Sequence, residues 1–246
     1  MHTSVSLTVA ESKRLIAKGI ARDNRVRQAF KKGTIAVTTG TTNGYVIEEL
    51  TGEPFPKSTY VTGRTLPASF DGEKPGYTAS DFVVRKGERV SMKAVEAAAE
   101  MGPGDVFLKG ANAINYDLRQ AGVLIGHPTG GTVGASLGCI VAQRIHLLHP
   151  VGLEKNIPGD LAEAAARHKE ADGKGPALWL TPGELFTEIE ALLQLSGVEA
   201  LPVGAGGIGG AEGAVWLTLF GTRSQLDKAL SVIEDVYGEP PFLSPA

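Results

Sequence analysis

Apolar and polar positions alternate along this chain in two rhythms, a helical one and a strand one, and the rhythm switches often. Leu15, Ile16 and Ile20 recur at helical spacing. They follow Thr8 and Glu11, a Thr-x-x-Glu pair that starts a helix by satisfying free backbone N–H groups. A second helix is expected over Asn24 to Lys32, ended by Gly33 in the left-handed conformation. Thr34 to Thr38 is short and β-branched and reads as a buried strand. It runs into Gly40, Thr41, Thr42 and Asn43, and Tyr45 to Leu50 reads as helix. Residues 53–90, with prolines at 54, 56, 67 and 75, are the least regular stretch. A strand is expected near Tyr60 to Thr62, and a hairpin over Phe82 to Val90 turning at Lys86-Gly87-Glu88. Then come an Ala-rich helix (Ser91 to Met101), strands at Val106 to Lys109 and Val123 to Ile125, a helix from about Thr132 to Ile145, and a strand at His146 to Val151.

The tail has a different order. Gly173 to Pro176 reads as a linker and Ala177 to Leu180 as a strand. Thr181-Pro182-Gly183-Glu184 reads as a second capping box, opening a helix that runs to Leu195 and ends at Gly197. Strands at Ala200 to Val203 and Ala214 to Phe220, a helix at Ser224 to Tyr237 and a short strand at Pro240 to Leu243 complete a βαββαβ order. The expected fold class is α/β: a Rossmann-like parallel sheet with helices on both faces over residues 1–172, plus a small C-terminal α+β ferredoxin-like domain over 177–246. A continuation of the main sheet is the alternative.

Composition narrows the class. At 246 residues, 42% of them hydrophobic, the chain can bury a sizeable core. Its 32 glycines and 6% aromatics suit tight turns around an aliphatic core. A net charge of −3 argues against a non-specific nucleic-acid binder. One cysteine, Cys139, permits no internal disulfide and no Cys-rich metal site. Met1 to Ala10 lacks the pattern of a signal peptide, and no apolar run approaches the ~20 residues that span a bilayer. The expected location is therefore cytoplasmic, with no membrane partner.

Candidate chemistry concentrates at three turns that follow strands. Thr39, Gly40, Thr41, Thr42 and Asn43 open a helix, whose free N–H groups and partial positive charge attract anions. The alternative is that Thr41 or Thr42 is only a cap. At the second turn, Lys109, Gly110 and Asn112, Lys109 can neutralise a bound anion or move a proton; otherwise it is a solvated lysine. At the third, His127 precedes Gly130, Gly131 and Thr132, whose backbone can form a second anion nest. His127 is the best placed of five histidines for acid–base work, against a plain loop histidine. His146 and His149 should face opposite ways, which disfavours a metal site. Gly204-Ala205-Gly206-Gly207-Ile208-Gly209 fits G-x-G-x-x-G, but a strand rather than a helix is expected after it. It is read as a hairpin loop with Glu212 at its base. No metal or cofactor is expected, and no paired carboxylates show at a convincing spacing.

These residues resemble the superfamily joining ribose-5-phosphate isomerases, glucosamine-6-phosphate deaminases and CoA transferases. Val37 to Asn43 looks like its phosphate turn, Lys109 to Asn115 like its Gly-Ala-Asp segment, and Gly130 to Thr132 sits where the family has a further loop at the site. The resemblance covers about residues 5–155 and implies phosphate binding. The segment's acidic positions are Asn112 and Asn115 here, and an amide cannot take up a proton as a carboxylate can. Three functions stand side by side. One is an isomerase-like enzyme acting on a small phosphorylated or otherwise anionic metabolite such as a sugar phosphate, with Lys109 and His127 as proton-transfer groups. The second is a non-catalytic metabolite-binding or regulatory protein. The third is an acyl-CoA transferase-like enzyme, which needs a glutamate at a strand end. A homo-oligomer is expected on general frequency.

Overall fold

The structure is a computed structural model that describes residues 1–62, 65–67, 69, 80–170 and 174–242. The chain opens with a strand missing from the sequence reading, β1 (His2–Leu7), followed by helix α1 (Val9–Arg22). The expected Thr8–Glu11 capping box forms in full. Asp23 caps α2 (Asn24–Lys32) by accepting from the N–H groups of Arg25 and Val26. Gly33 ends that helix at φ −112°, not in the left-handed region. Glycine serves another need there: Asp105 Oδ1 would lie 2.6 Å from a Cβ while it accepts the Thr34 N–H at 2.7 Å.

Next come β2 (Thr34–Val37) and α3 (Thr41–Thr51). No strand forms at 60–62. A 3-10 turn, Lys57–Thr59, leads into Tyr60, which folds back onto the end of β2. Part of the irregular stretch, including Pro75, lies outside the described residues. The hairpin β3 (Phe82–Arg85) and β4 (Glu88–Val90) forms as expected, with Lys86 and Gly87 at positive φ. The middle of the chain supplies α4 (Ala94–Glu100), β5 (Val106–Leu108), β6 (Ala113–Asn115), β7 (Gln120–Ile125), α5 (Gly131–Ala142) and β8 (His146–Pro150). The tail supplies α6 (Leu161–Glu170), β9 (Ala177–Thr181), β10 (Glu184–Phe186), α7 (Glu188–Ser196), β11 (Glu199–Ala205), β12 (Val215–Phe220) and α8 (Arg223–Glu234).

The architecture is α/β, with a mixed six-stranded sheet in the order β10-β8-β5-β2-β3-β4. Its first four strands run parallel; β3 and β4 extend it antiparallel. Alternate residues of these strands feed two cores. Ile35, Val37, Val106, Leu108 and Leu148 join Leu15, Ile16, Ile20, Ile47 and Leu192 of the helices on one face. Ala36, Phe107 and Leu147 join Ala94, Ala97, Ala98 and Ile140 on the other. Among the described residues no helix is long and apolar enough to cross a membrane.

The tail does not make the expected βαββαβ sheet. β9 pairs antiparallel with β7, in a three-stranded sheet β6-β7-β9. β10 joins the main sheet beside β8. β11 and β12 form the expected glycine-looped hairpin, and β1 from the far end of the chain pairs with β12 to complete a third sheet. Residues 177–242 therefore form no sheet of their own, and the strand alternation alone could not say which sheet each would join. The helix placed at Thr181 begins six residues later: Thr187 is its cap and Glu190 closes the box. Thr181 to Glu184 instead carries the chain from one sheet to another, and Leu185 and Phe186 are buried beside β8. No strand forms at 240–242, and Gly173 and Leu243 lie outside the described residues.

The tail is also keyed into the start of the chain by close helix packing. A Cβ on Gly19 of α1 would lie 2.7 Å from the Ala191 Cα of α7 and 3.0 Å from Phe186. Gly19→Ala should therefore force the two helices apart and destabilise the protein by about 1–3 kcal/mol, read as a lower midpoint in urea denaturation.

Candidate functional site

Parallel pairing brings the C-terminal ends of β2, β5, β8 and β10 to one edge of the main sheet. Ligands of open α/β sheets sit at such an edge. The residues that follow the four strands are Thr38 to Asn43, Lys109 to Ala111, Gly152 to Lys155, and Thr187 with Glu188.

The first turn is rigid. Thr38 is anchored to β5, its N–H and its hydroxyl both donating to the Leu108 carbonyl. The Tyr60 hydroxyl donates to the Val37 carbonyl and accepts from the Phe82 N–H, and the Tyr60 carbonyl accepts the Gly40 N–H. Gly40 is thus the cap residue of α3, and no side chain caps the helix. Thr41 and Thr42 are the first residues of the helix, not its caps, and their hydroxyls bond to no other described residue. Thr39 shares a hydrogen bond with Thr62. Asn43 is fully buried and its amide donates to the Thr38 carbonyl, so its side chain braces the turn from within instead of facing a ligand. Its carbonyl oxygen has no partner.

Every other helix except α5 has a side-chain oxygen at its start. Thr8, Asp23, Asp160, Thr187 and Thr222 serve α1, α2, α6, α7 and α8, and Asp81 accepts from Ala94 at the start of α4. The two helices left bare, α3 and α5, are those entered through the Thr39–Asn43 and Gly130–Thr132 turns.

Lys109 sits one strand over from the first turn. Its ammonium has no hydrogen bond or ion pair among the described residues. Burial pushes its pKa down, with Asp81 opposing the shift and Lys155 adding to it. Its carbonyl accepts from Nδ1 of His149, at 2.6 Å, and Nε2 of the same ring meets the Thr181 hydroxyl at 2.7 Å. The Lys109 carbonyl needs a proton on Nδ1, and burial, which holds the pKa down to about 4, keeps the ring neutral so that Nε2 accepts from the Thr181 hydroxyl. His149 is a fixed strut between β5, β8 and β9. Gly183 makes room for it: a Cβ there would strike the ring.

The third turn is placed differently from expectation. It leaves β7, which belongs to the three-stranded sheet and not to the main one. Gly130 packs against Trp179 of β9, 2.8 Å from where its Cβ would be. The body of α5, through Val133, Ser136, Leu137 and Ile140, lines the crevice that Lys109 also lines, and the glycine turn does not. His127 is exposed, and its Nδ1 meets the N–H and hydroxyl of Thr129 in a local turn. Asn112 accepts from the Leu124 N–H, and Asn115 both donates to Gly159 and accepts from Leu118. These two amides hold loops together. Gly110 stands in open space beside them. The glycine run at 204–209 lies in the β11–β12 hairpin with no helix after it, and Glu212 accepts from the Gly210 N–H.

The sequence reading missed the other half of the edge. Glu188 follows β10, fully buried, and both carboxylate oxygens accept from the Leu153 N–H. Glu154 follows β8. The two carboxylates converge on Gly152: a Cβ there would overlap Glu154 Oε2 and lie 3.1 Å from Glu188 Oε1. Burial pushes the pKa of Glu188 up to about 7, and the charge of Glu154 adds to the shift. Lys13 of α1 and Lys155 flank the pair, and Lys155 donates to the Ala111 carbonyl at 3.0 Å. No spacing rule reveals carboxylates that meet only because β8 and β10 are neighbours. The one available signal for Glu154 was that it lies shortly after the expected strand at 146–151.

The upward shift of Glu188 has a stability consequence. The unfolded chain releases this proton near the ordinary carboxylate pKa of 4.5 and the folded protein near 7. Stability is present in full below 4.5 and is lost as pH rises to 7. Glu188→Gln removes that loss. Its stability relative to wild type should rise between pH 4.5 and 7 and level off above, in denaturation curves taken across the range. Among the described residues no group of three or more His, Cys, Asp or Glu side chains is arranged to hold a metal ion. Scans against family models, curated proteins and solved structures return no match to this chain, so the chemistry of the site rests on its own geometry.

Proposed function

We propose that the protein binds a small phosphorylated or similarly anionic metabolite at the edge of its Rossmann-like parallel sheet and acts on it in an isomerase-like way. The observation that carries this reading is the bare start of α3, where Thr41 and Thr42 offer N–H groups and hydroxyls with no partner among the described residues, beside the strand that is followed by Lys109, whose ammonium is likewise unpaired among them. A helix start with no acidic residue in its first turn and a lysine one strand over favours an anion on both dipole and charge grounds. The proton-transfer half of the reading gains from Glu154 and Glu188, carboxylates at the same edge that Asn112 and Asn115 cannot replace. His127, exposed and tied into its own loop, is a weaker candidate than Lys109. A glutamate at a strand end also meets the requirement of the acyl-transfer alternative.

A thermal-shift screen with sugar phosphates, nucleotides and acyl-CoAs tests the reading. A ligand at 100 times its Kd should stabilise the fold by about 2.7 kcal/mol. The double variant Thr41→Ala/Thr42→Ala, and separately Lys109→Met, should lose most of that shift while folding normally. If no anionic compound raises the Tm, or the double variant keeps the whole shift, the site is wrong. Turnover of the stabilising compound separates an enzyme from a sensor, and a shift with acyl-CoA alone selects the acyl-transfer alternative.

A further inference from the structure

Lys13 is the most anomalous charged group among the described residues. It is 7% exposed, yet it makes no hydrogen bond or ion pair with any described residue. Its ammonium lies over the Phe242 ring, 5.3 Å from the centroid, and the charges it feels are those of Glu154 and Lys155. A buried lysine kept for stability would be paired, because an unpaired buried charge costs several kcal/mol. Two more polar groups here lack partners. Ser12 Oγ, 1% exposed, lies beside Glu188 but outside hydrogen-bond geometry, and Glu154 Oε2 is buried without a donor. Desolvation and a neighbouring cation are the two conditions that turn a lysine into a nucleophile, and Lys13 meets both. Burial and Lys155 bring its pKa down to about 8 against the pull of Glu154, so part of the population carries a free amine near neutral pH.

We propose that Lys13 is a catalytic amine that condenses with the carbonyl carbon of a bound phosphorylated aldehyde or ketone to form an imine. The anionic end of this ligand rests on the binding reading above; the carbonyl end is new. The Nζ lone pair adds to the carbonyl carbon, and a proton passes from nitrogen to oxygen to give the carbinolamine. Glu188, in its protonated form, then gives its proton to that hydroxyl. The C–O bond breaks, water leaves, and the products are a protonated imine on Lys13 and the Glu188 carboxylate. No oxidant or reductant takes part. Glu154 and Lys155, the charged neighbours of Lys13, are only part-buried.

Reductive trapping tests this. The folded protein is incubated near pH 7.5 with dihydroxyacetone phosphate, or with dihydroxyacetone, and sodium cyanoborohydride, and the adducts are mapped by peptide mass. We expect Lys13 to be modified ahead of the exposed lysines. Lys13→Arg, checked for folding by circular dichroism, should give no adduct there or elsewhere at that rate. Glu188→Gln should slow trapping about tenfold or more. Trapping on wild type is decisive even if neither variant folds: if surface lysines react and Lys13 does not, the proposal is overturned. The two probes separate it from the phosphate reading. Dihydroxyacetone phosphate that raises the Tm but leaves no adduct on Lys13 removes the imine and keeps the anion site. Equal trapping of both probes at equal concentration keeps the imine and removes the anion site.

Discussion

Parallel pairing of β2, β5, β8 and β10 is the constraint on which the site depends. Strands buried on both faces must be short and apolar, and each must end where its neighbours end for the ladder to stay paired. Ile35 to Val37 lies opposite Val106 to Leu108, which lies opposite His146 to Leu148, which meets Glu184 in turn. The two central strands are apolar at those positions, and polar residues gather just past them. Thr38, Lys109, Gly152 and Thr187 open the four segments in which the unusual polar groups lie. The chemistry of the edge follows from the requirements of the sheet.

Not all the polar residues at that edge are of one kind. Tyr60 and Thr38 spend their hydroxyls on backbone and His149 spends both ring nitrogens on a carbonyl and a hydroxyl, and with the Asn43 amide N–H they fix where the turns sit. The Lys13 and Lys109 ammonium groups, Glu154 Oε2 and Ser12 Oγ are unmet among the described residues. A fold under selection for stability alone would replace such groups by apolar ones of similar size. Keeping them costs stability, and the large aliphatic cores on the two faces of the sheet offset that cost. The division between satisfied and unsatisfied groups separates scaffold from candidate chemistry more sharply than residue type does.

Local signals in the sequence carried a good part of this. The Thr8–Glu11 box, the Lys86-Gly87 hairpin, the strand-to-helix turn at Gly40 and the strand leading to Lys109 depend on residues within a few positions of one another, and all are found where expected. What was illegible depends on pairing across the chain. The assignment of β9, β10 and β11 to three different sheets is set by partners far away in sequence. So is the meeting of Glu154 with Glu188. Asn43 and His127 show the same limit from the other side. Their residue types suit a site, but one is turned inward by Thr38 and the other is held in a loop off the main sheet.

The pairing of β1 with β12 has a consequence for how the chain reaches this state. Val5 lies opposite Leu217, so β1 waits for a strand far along the chain before its edge is covered. Closing so long a loop is slow and makes the topology one of high contact order. Until then, Val5 and Leu7, both destined for the core, stand on an unpaired strand that can recruit another chain. Crowded synthesis, where many unfinished copies stand side by side, is therefore the condition under which this protein is most exposed to misassembly.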